Sequence, residues 1–169
     1  MKILVFTEGT ILMHSSAKSL IREQRVEQSK ARSELLPTRF FMEEIPNGNA
    51  VKKLKVWKNQ GAEIFYLTSR TTQKQIGDIK NILKKYHFPD NKNLFFRKKG
   101  EQYKDVAEKL MPDILIEDDC ESIGGMSEMT YPHIRKDLKS KIKSIVVKEF
   151  GGVGHLPSDL EELQNYDSK

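Results

Sequence analysis

Five short apolar runs, each separated from the next by a stretch with helical spacing, limit what this chain can fold into. The runs are Ile3-Leu4-Val5-Phe6, Glu63-Ile64-Phe65-Tyr66-Leu67, Leu94-Phe95-Phe96, Ile114-Leu115-Ile116-Glu117 and Ser144-Ile145-Val146-Val147-Lys148. Apolar runs this short and continuous fit strands of a parallel sheet covered on both faces. Between them, Ala50, Val51, Leu54 and Trp57 share one helical face, and Gly61 supplies a left-handed stop. Ile76, Ile79, Leu83 and Tyr86 mark a second helix, and Tyr103, Val106, Ala107 and Leu110 a third. Ile134, Leu138 and Ile142 mark the last helix before the fifth strand. Repeated strand–helix units with right-handed crossovers predict an α/β fold built on a doubly wound, parallel, five-stranded sheet.

One stretch breaks the alternation. After the first strand, residues from about Ser15 to Lys30 are polar and helix-prone, and Ser33 to Pro46 is irregular. Its only apolar patches there are Leu35-Leu36-Pro37 and Phe40-Phe41-Met42. We read 13–47 as a small cap-like insertion above the sheet edge; a plain connecting helix and loop is the other reading. Residues 1–155 then form a single domain and 156–169 a C-terminal tail.

Composition narrows the function classes. A chain of 169 residues holds one domain with a real core, burying roughly 70% of its unfolded surface. The single Cys120 excludes an internal disulfide and suits a reducing cytoplasm. The apolar start is too short for a signal peptide and nothing later approaches a membrane span. A net charge of +5 with 31% charged residues favours anionic ligands, but falls short of marking a nucleic-acid binder.

Residues with chemistry gather at the carboxyl ends of the strands, where open α/β sheets hold ligands. The fourth strand delivers Glu117, Asp118 and Asp119 together. Three adjacent carboxylates repel one another unless a cation or base sits among them, which makes them candidate metal ligands. The first strand delivers Thr7, Glu8 and Thr10, the second Thr68, Ser69 and Arg70, and Lys104 lies near the start of the helix feeding the acidic strand. Carboxylates that hold Mg²⁺, hydroxyls that hold phosphate oxygens and a lysine that neutralises charge are the parts phosphoryl transfer needs. Taken singly each has a plainer role: an acidic turn, a helix cap, a solvated lysine. Their succession at strand ends is the stronger signal. Trp57 and Cys120 read as core and edge residues, and His14, His87, His133 and His155 have no ligand spacing.

This order resembles the haloacid dehalogenase-like (HAD) superfamily of phosphohydrolases over nearly the whole chain. Val5-Phe6-Thr7-Glu8-Gly9-Thr10 is similar to the family's first motif, an apolar strand followed by Asp-x-Asp-Gly-Thr. Tyr66-Leu67-Thr68-Ser69-Arg70 resembles the second motif, whose Thr or Ser binds phosphate, and Lys104 stands in the place of the third-motif Lys, with Lys98 and Lys99 as rivals. The run from Ile114 to Ile123 is similar to the fourth motif, nearest to its form in the deoxyribonucleotidase-like branch. The resemblance implies a sheet order of 5-4-1-2-3, counting the five strands along the chain, so that the first and fourth are neighbours. It also implies a Mg²⁺ site and a phosphorylated small molecule or nucleotide as ligand.

The first motif departs from the family. In family members its first Asp is the nucleophile and a Mg²⁺ ligand. Matching Glu8-Gly9-Thr10 to Asp-Gly-Thr puts Phe6 at that position; aligning the strand without the shift puts Thr7 there and Gly9 at the second Asp. Neither alignment leaves a carboxylate, and an unactivated hydroxyl is a poor nucleophile near neutral pH. The preferred reading is a HAD-like protein, inactive or weakly active, with a phosphate- or metal-binding edge and weak or absent Mg²⁺ binding. A working Mg²⁺-dependent phosphatase or nucleotidase, with Glu8 or Glu117 assisting a water, is the second. The third is a nucleic-acid enzyme, because Glu8-Gly9 with Glu117-x-Asp119 also resembles the Toprim metal site.

Overall fold

β1 (Lys2–Phe6) runs through the middle of the molecule, paired on both sides. A computed structural model describes residues 1–35 and 43–167. The chain continues through β2 (Leu12–His14), α1 (Arg22–Leu35), β3 (Glu44–Pro46), α2 (Ala50–Asn59), β4 (Glu63–Thr68) and α3 (Gln73–Lys85). It closes with β5 (Leu94–Phe96), α4 (Tyr103–Leu110), β6 (Ile114–Asp118), α5 (Lys136–Lys139), β7 (Lys143–Val147) and α6 (Leu160–Asn165). The large sheet has the order β5-β4-β1-β6-β7 and every pairing in it is parallel. Read from its other edge, this is the order the family resemblance implies.

The period of two along each strand sorts side chains onto two cores. Ile3, Val5, Ile64, Tyr66, Ile114, Ile116, Ile145 and Val147 face one way, with Leu54, Trp57, Ile76, Ile79, Leu83 and Leu163 from α2, α3 and α6. Leu4, Phe65, Leu67 and Leu115 face the other way, against Val106 and Ala107 of α4 and the segment carrying Ile134 and Ile142. Each fully buried aliphatic side chain contributes roughly 1.5–3 kcal/mol. Helices therefore cover both faces, and only the strand ends are left to form a crevice.

Local signals end the elements where the spacing predicts. Gly61 adopts φ +97° after α2, and the Ala62 amide returns to the Trp57 carbonyl at 3.1 Å. The Thr72 hydroxyl caps α3 by accepting from the Gln75 amide at 3.3 Å.

The stretch after β1 opens and closes as an antiparallel pair, His14 opposite Glu44 and Leu12 opposite Pro46, with α1 between. The helix starts at Arg22 rather than near Ser15. His14 Nδ1 accepts the Ser16 amide at 3.1 Å and caps a 3-10 turn over Ser15–Ala17 first. Gln24 then takes the Ile21 amide at 3.2 Å, just before the helix proper. Leu36, Pro37 and Phe40-Phe41-Met42 lie outside the described residues.

One more segment differs from the sequence reading. Ile134, Leu138 and Ile142 do not share one long helix. Only Lys136–Lys139 is helical, because Ile134 and Arg135 are extended, at ψ 141° each, after a 3-10 turn containing Pro132. Ile134 and Ile142 are nevertheless buried. Within the C-terminal segment after residue 155, Leu156 and Leu163 enter the first core.

Candidate functional site

The end of β1 turns sharply into β2. Thr7 offers its carbonyl to the amides of Ile11 and Leu12, at 3.0 and 2.9 Å, and Gly9 gives its amide to Leu12 at 3.1 Å. Gly9 sits at φ +78°, and a Cβ there would stand 2.7 Å from Asp118 Oδ2. The turn thus needs glycine twice over, for its backbone and for its closeness to β6. Thr10, fully buried, donates its hydroxyl to the same Asp118 oxygen at 2.7 Å. The first and fourth motif-like segments are joined here.

Glu8 turns the other way, toward β4. Its carboxylate accepts the Thr68 hydroxyl at 2.5 Å, the Ser69 amide at 3.0 Å and the Thr7 hydroxyl at 2.8 Å, with Arg70 Nε 3.4 Å away. Arg70 also reaches Glu44 of β3 through Nη2 at 2.7 Å. Burial, and then the Glu8 charge, push the Glu44 carboxyl up to about 7 against the pull of Arg70. Thr7, Glu8, Thr68, Ser69 and Arg70 are therefore one hydrogen-bonded group.

On the other side of the turn, Asp118 accepts Thr10 on one oxygen and the Cys120 amide, at 3.0 Å, on the other. Burial pushes its carboxyl up to about 7, opposed by these two donors and reinforced by Glu149 and Glu117. Burial also works against the charge of Asp119, but the Glu149 amide and the Lys148 ammonium, each 3.0 Å away, hold its carboxyl below the usual range. Asp118, Asp119 and Glu149 offer ligand atoms that lie within 4.8 Å of one another, a group that could hold a metal ion. Each of these carboxylate oxygens already has a protein donor, the Glu149 pair taking the Ser122 amide at 2.6 Å and its hydroxyl at 2.7 Å.

Glu117 is not in that cluster. It shares a strand face with Leu115 while Asp118 shares one with Ile116. Both its oxygens accept amides, from Thr130 at 2.6 Å and Tyr131 at 2.8 Å. Burial still raises its pKa. Glu149, absent from the sequence-level candidates, takes the third place because β7 lies beside β6 and brings the end of the chain's fifth core strand to the same edge. Lys104 is half-buried on the first turn of α4, and no described residue hydrogen-bonds or ion-pairs with its ammonium.

Both positions that the two alignments place at the family's nucleophile are engaged elsewhere. The Phe6 ring meets Tyr103 edge to face at 5.1 Å, and the Arg97 guanidinium lies 3.9 Å over that tyrosine ring. Thr7 is fully buried, with its hydroxyl on Glu8 and within 3.2 Å of the Leu67 carbonyl.

No protein-family model matches the chain. No curated protein matches it. Solved structures do. The class C acid phosphatase from Bacillus anthracis superposes with a TM-score of 0.54 at 11% identity, over 89% of this chain and 67% of that one. The same enzyme's crystal structure with tungstate bound gives 0.52 at 13% identity, over 99% and 80%. At these identities the likeness is one of fold: the chain shares the α/β architecture of these acid phosphatase structures. No helix among the described residues is long and apolar enough to cross a membrane.

Proposed function

We propose that this chain is a HAD-like protein in which aspartyl-phosphate chemistry is lost or very weak, and which keeps an edge for binding a phosphate group. The observation that carries this reading is the state of Phe6 and Thr7. One is an aromatic ring packed on Tyr103 and the other a buried hydroxyl already hydrogen-bonded. Neither can become an acyl phosphate, and losing a nucleophile commonly costs several orders of magnitude in rate. Beside them, the hydroxyls of Thr7 and Thr68, the Ser69 amide and Arg70 all point at one carboxylate, the donor set an oxyanion would also use. Tungstate, a tetrahedral oxyanion, is bound in a crystal structure of the same fold. The ligand class is a phosphorylated small molecule, and the fourth-motif likeness to the deoxyribonucleotidase-like branch favours a nucleotide. The Toprim-like alternative gains nothing from Glu117, whose oxygens are occupied by Thr130 and Tyr131.

Asp118, Asp119 and Glu149 would hold a Mg²⁺ ion, and it would supply charge neutralisation for a bound phosphate. Hard cations want six or more oxygens. These carboxylates are already hydrogen-bonded, and Lys148 already pairs with Asp119. Weak binding follows. Calorimetry should give a small signal that Asp118→Asn abolishes, and micromolar affinity surviving that substitution would refute the assignment.

Catalysis is tested by phosphate release from a panel of nucleotides and sugar phosphates with Mg²⁺ present. Turnover should stay near background. Phe6→Asp and Thr7→Asp each restore a carboxylate in one alignment, and whichever gains activity identifies the register. Wild-type turnover of about 1 s⁻¹ or more, within the ordinary enzyme range, contradicts the reading and requires a substitute nucleophile or activated water.

A further inference from the structure

We propose that the protein fills its own oxyanion cradle, the Glu8 carboxylate standing where the oxygens of a bound phosphate group would stand. The inference rests on the reading of this edge as a phosphate site, and adds that the site is closed to its ligand while Glu8 is in place. The contacts of Glu8 all run in one direction. Thr68 and Thr7 give it hydroxyl protons at 2.5 and 2.8 Å, Ser69 gives an amide proton at 3.0 Å, and Arg70 Nε stands at 3.4 Å. The Thr68 hydroxyl donates to this carboxylate, which can only accept, while its own oxygen accepts the Arg70 amide at 3.2 Å. Two hydroxyls, a backbone amide and a guanidinium converging from the ends of two adjacent strands is a complete anion site, and the protein's own anion saturates it.

The cradle does not depend on Glu8 to hold its shape. Arg70 is tied separately to Glu44, which is itself buried on β3. Thr68 and Ser69 are fixed by β4 and the turn after it. The Glu8 side chain, by contrast, keeps 16% of its exposure and borders the crevice rather than the core. It can leave without uncovering apolar surface. A phosphate must then compete with a carboxylate tethered next to its site, at an effective concentration of about millimolar or more. Apparent affinity falls by the fraction of time the cradle is vacant.

The test is calorimetric titration with inorganic phosphate, without added divalent metal, on folded samples checked by circular dichroism. Glu8→Ala should bind about tenfold or more tightly than wild type. Glu8→Ala combined with Thr68→Val should lose that gain. Asp119→Asn removes a negative charge from the same edge without vacating the cradle and should not reproduce it. If Glu8→Ala fails to fold, Glu8→Gln serves, since an amide nitrogen facing these donors cannot accept from them; a gain in the same direction is expected. Equal, measurable affinity in wild type and both Glu8 variants overturns the occlusion and leaves the phosphate site standing. No binding by any variant overturns both. A gain with Asp119→Asn as large as with Glu8→Ala shows that net charge alone is responsible, and also overturns the occlusion.

Discussion

Glu44 has one oxygen on Arg70 and the other buried without a hydrogen-bond partner among the described residues. Burial and the neighbouring Glu8 raise its carboxyl to about 7 from an ordinary 4.5. Unfolded, the group releases its proton near the lower value; folded, it keeps it to the higher one. Between those values the unfolded chain binds fewer protons, so the stability this group contributes is full below about pH 4.5 and is lost as pH rises through 7. The loss is on the order of 3 kcal/mol over that window. Thermal melts from pH 5 to 8 should show stability declining in wild type and a flatter profile in Glu44→Gln, which keeps an acceptor for Arg70. Parallel profiles would dismiss Glu44 as the titrating group. Glu44 was not legible in the sequence, and neither was Glu149. Each owes its place to a partner far along the chain, Arg70 for one and Ser122 for the other. Thr68, Ser69, Asp118 and Asp119 stood out because strand ends in an α/β sheet share one crevice. Which carboxylate each hydroxyl would meet did not, since that depends on the way a turn such as Thr7–Ile11 is wound.

The elements divide along the same line. Strands and amphipathic helices were readable because burial imposes a period. Ile76, Ile79, Ile82 and Leu83 all end buried on α3. α1 has almost no such stripe, and Val26 is its one buried apolar residue among those described. Polar contacts dock it instead. Arg25 donates to the carbonyls of Ala17, Leu20 and Phe150, Arg22 to the Glu149 carbonyl at 3.0 Å while pairing with Glu121, and Ser29 meets Ser122 at 2.9 Å. Guanidinium-to-carbonyl contacts carry no sequence period, so the helix is readable from the sequence but its seat is not. The opposite failure occurs before β7. Ile134, Leu138 and Ile142 have helical spacing, and both isoleucines are buried, yet most of the segment is not helical. Glu117 anchors the amides of Thr130 and Tyr131, and Glu108 takes the Arg135 amide at 2.9 Å. Those anchors fix the path of the backbone more strongly than the apolar spacing does.

At the scale of the whole molecule, the parallel sense of the sheet follows from the alternation of strands and helices, and its order β5-β4-β1-β6-β7 is the one the family resemblance implies, but neither foretells the cover over its first face. That cover includes the end of the chain. Trp57 donates its indole N–H to the Pro157 carbonyl at 2.9 Å. Lys53, whose pKa burial lowers, reaches the Leu156 carbonyl at 2.6 Å and the Ser158 hydroxyl at 2.8 Å. Asp159 then caps α6 by accepting the amides of Glu161 and Glu162, and Leu163 enters the core fully buried. A short polar helix with one inward leucine has too little pattern to be recognised alone. Removing the whole segment after His155 would also leave the Trp57 N–H and the buried Lys53 ammonium without these acceptors. Leu163→Ala should therefore cost about 2–4 kcal/mol, read as a drop of roughly 5–15 °C in Tm for a chain of this size. Ending the chain after His155 should cost more, because it adds two stranded donors to the lost burial. A truncated protein melting at the wild-type temperature would show that the first 155 residues are a complete domain and that the C-terminal segment only rests on it.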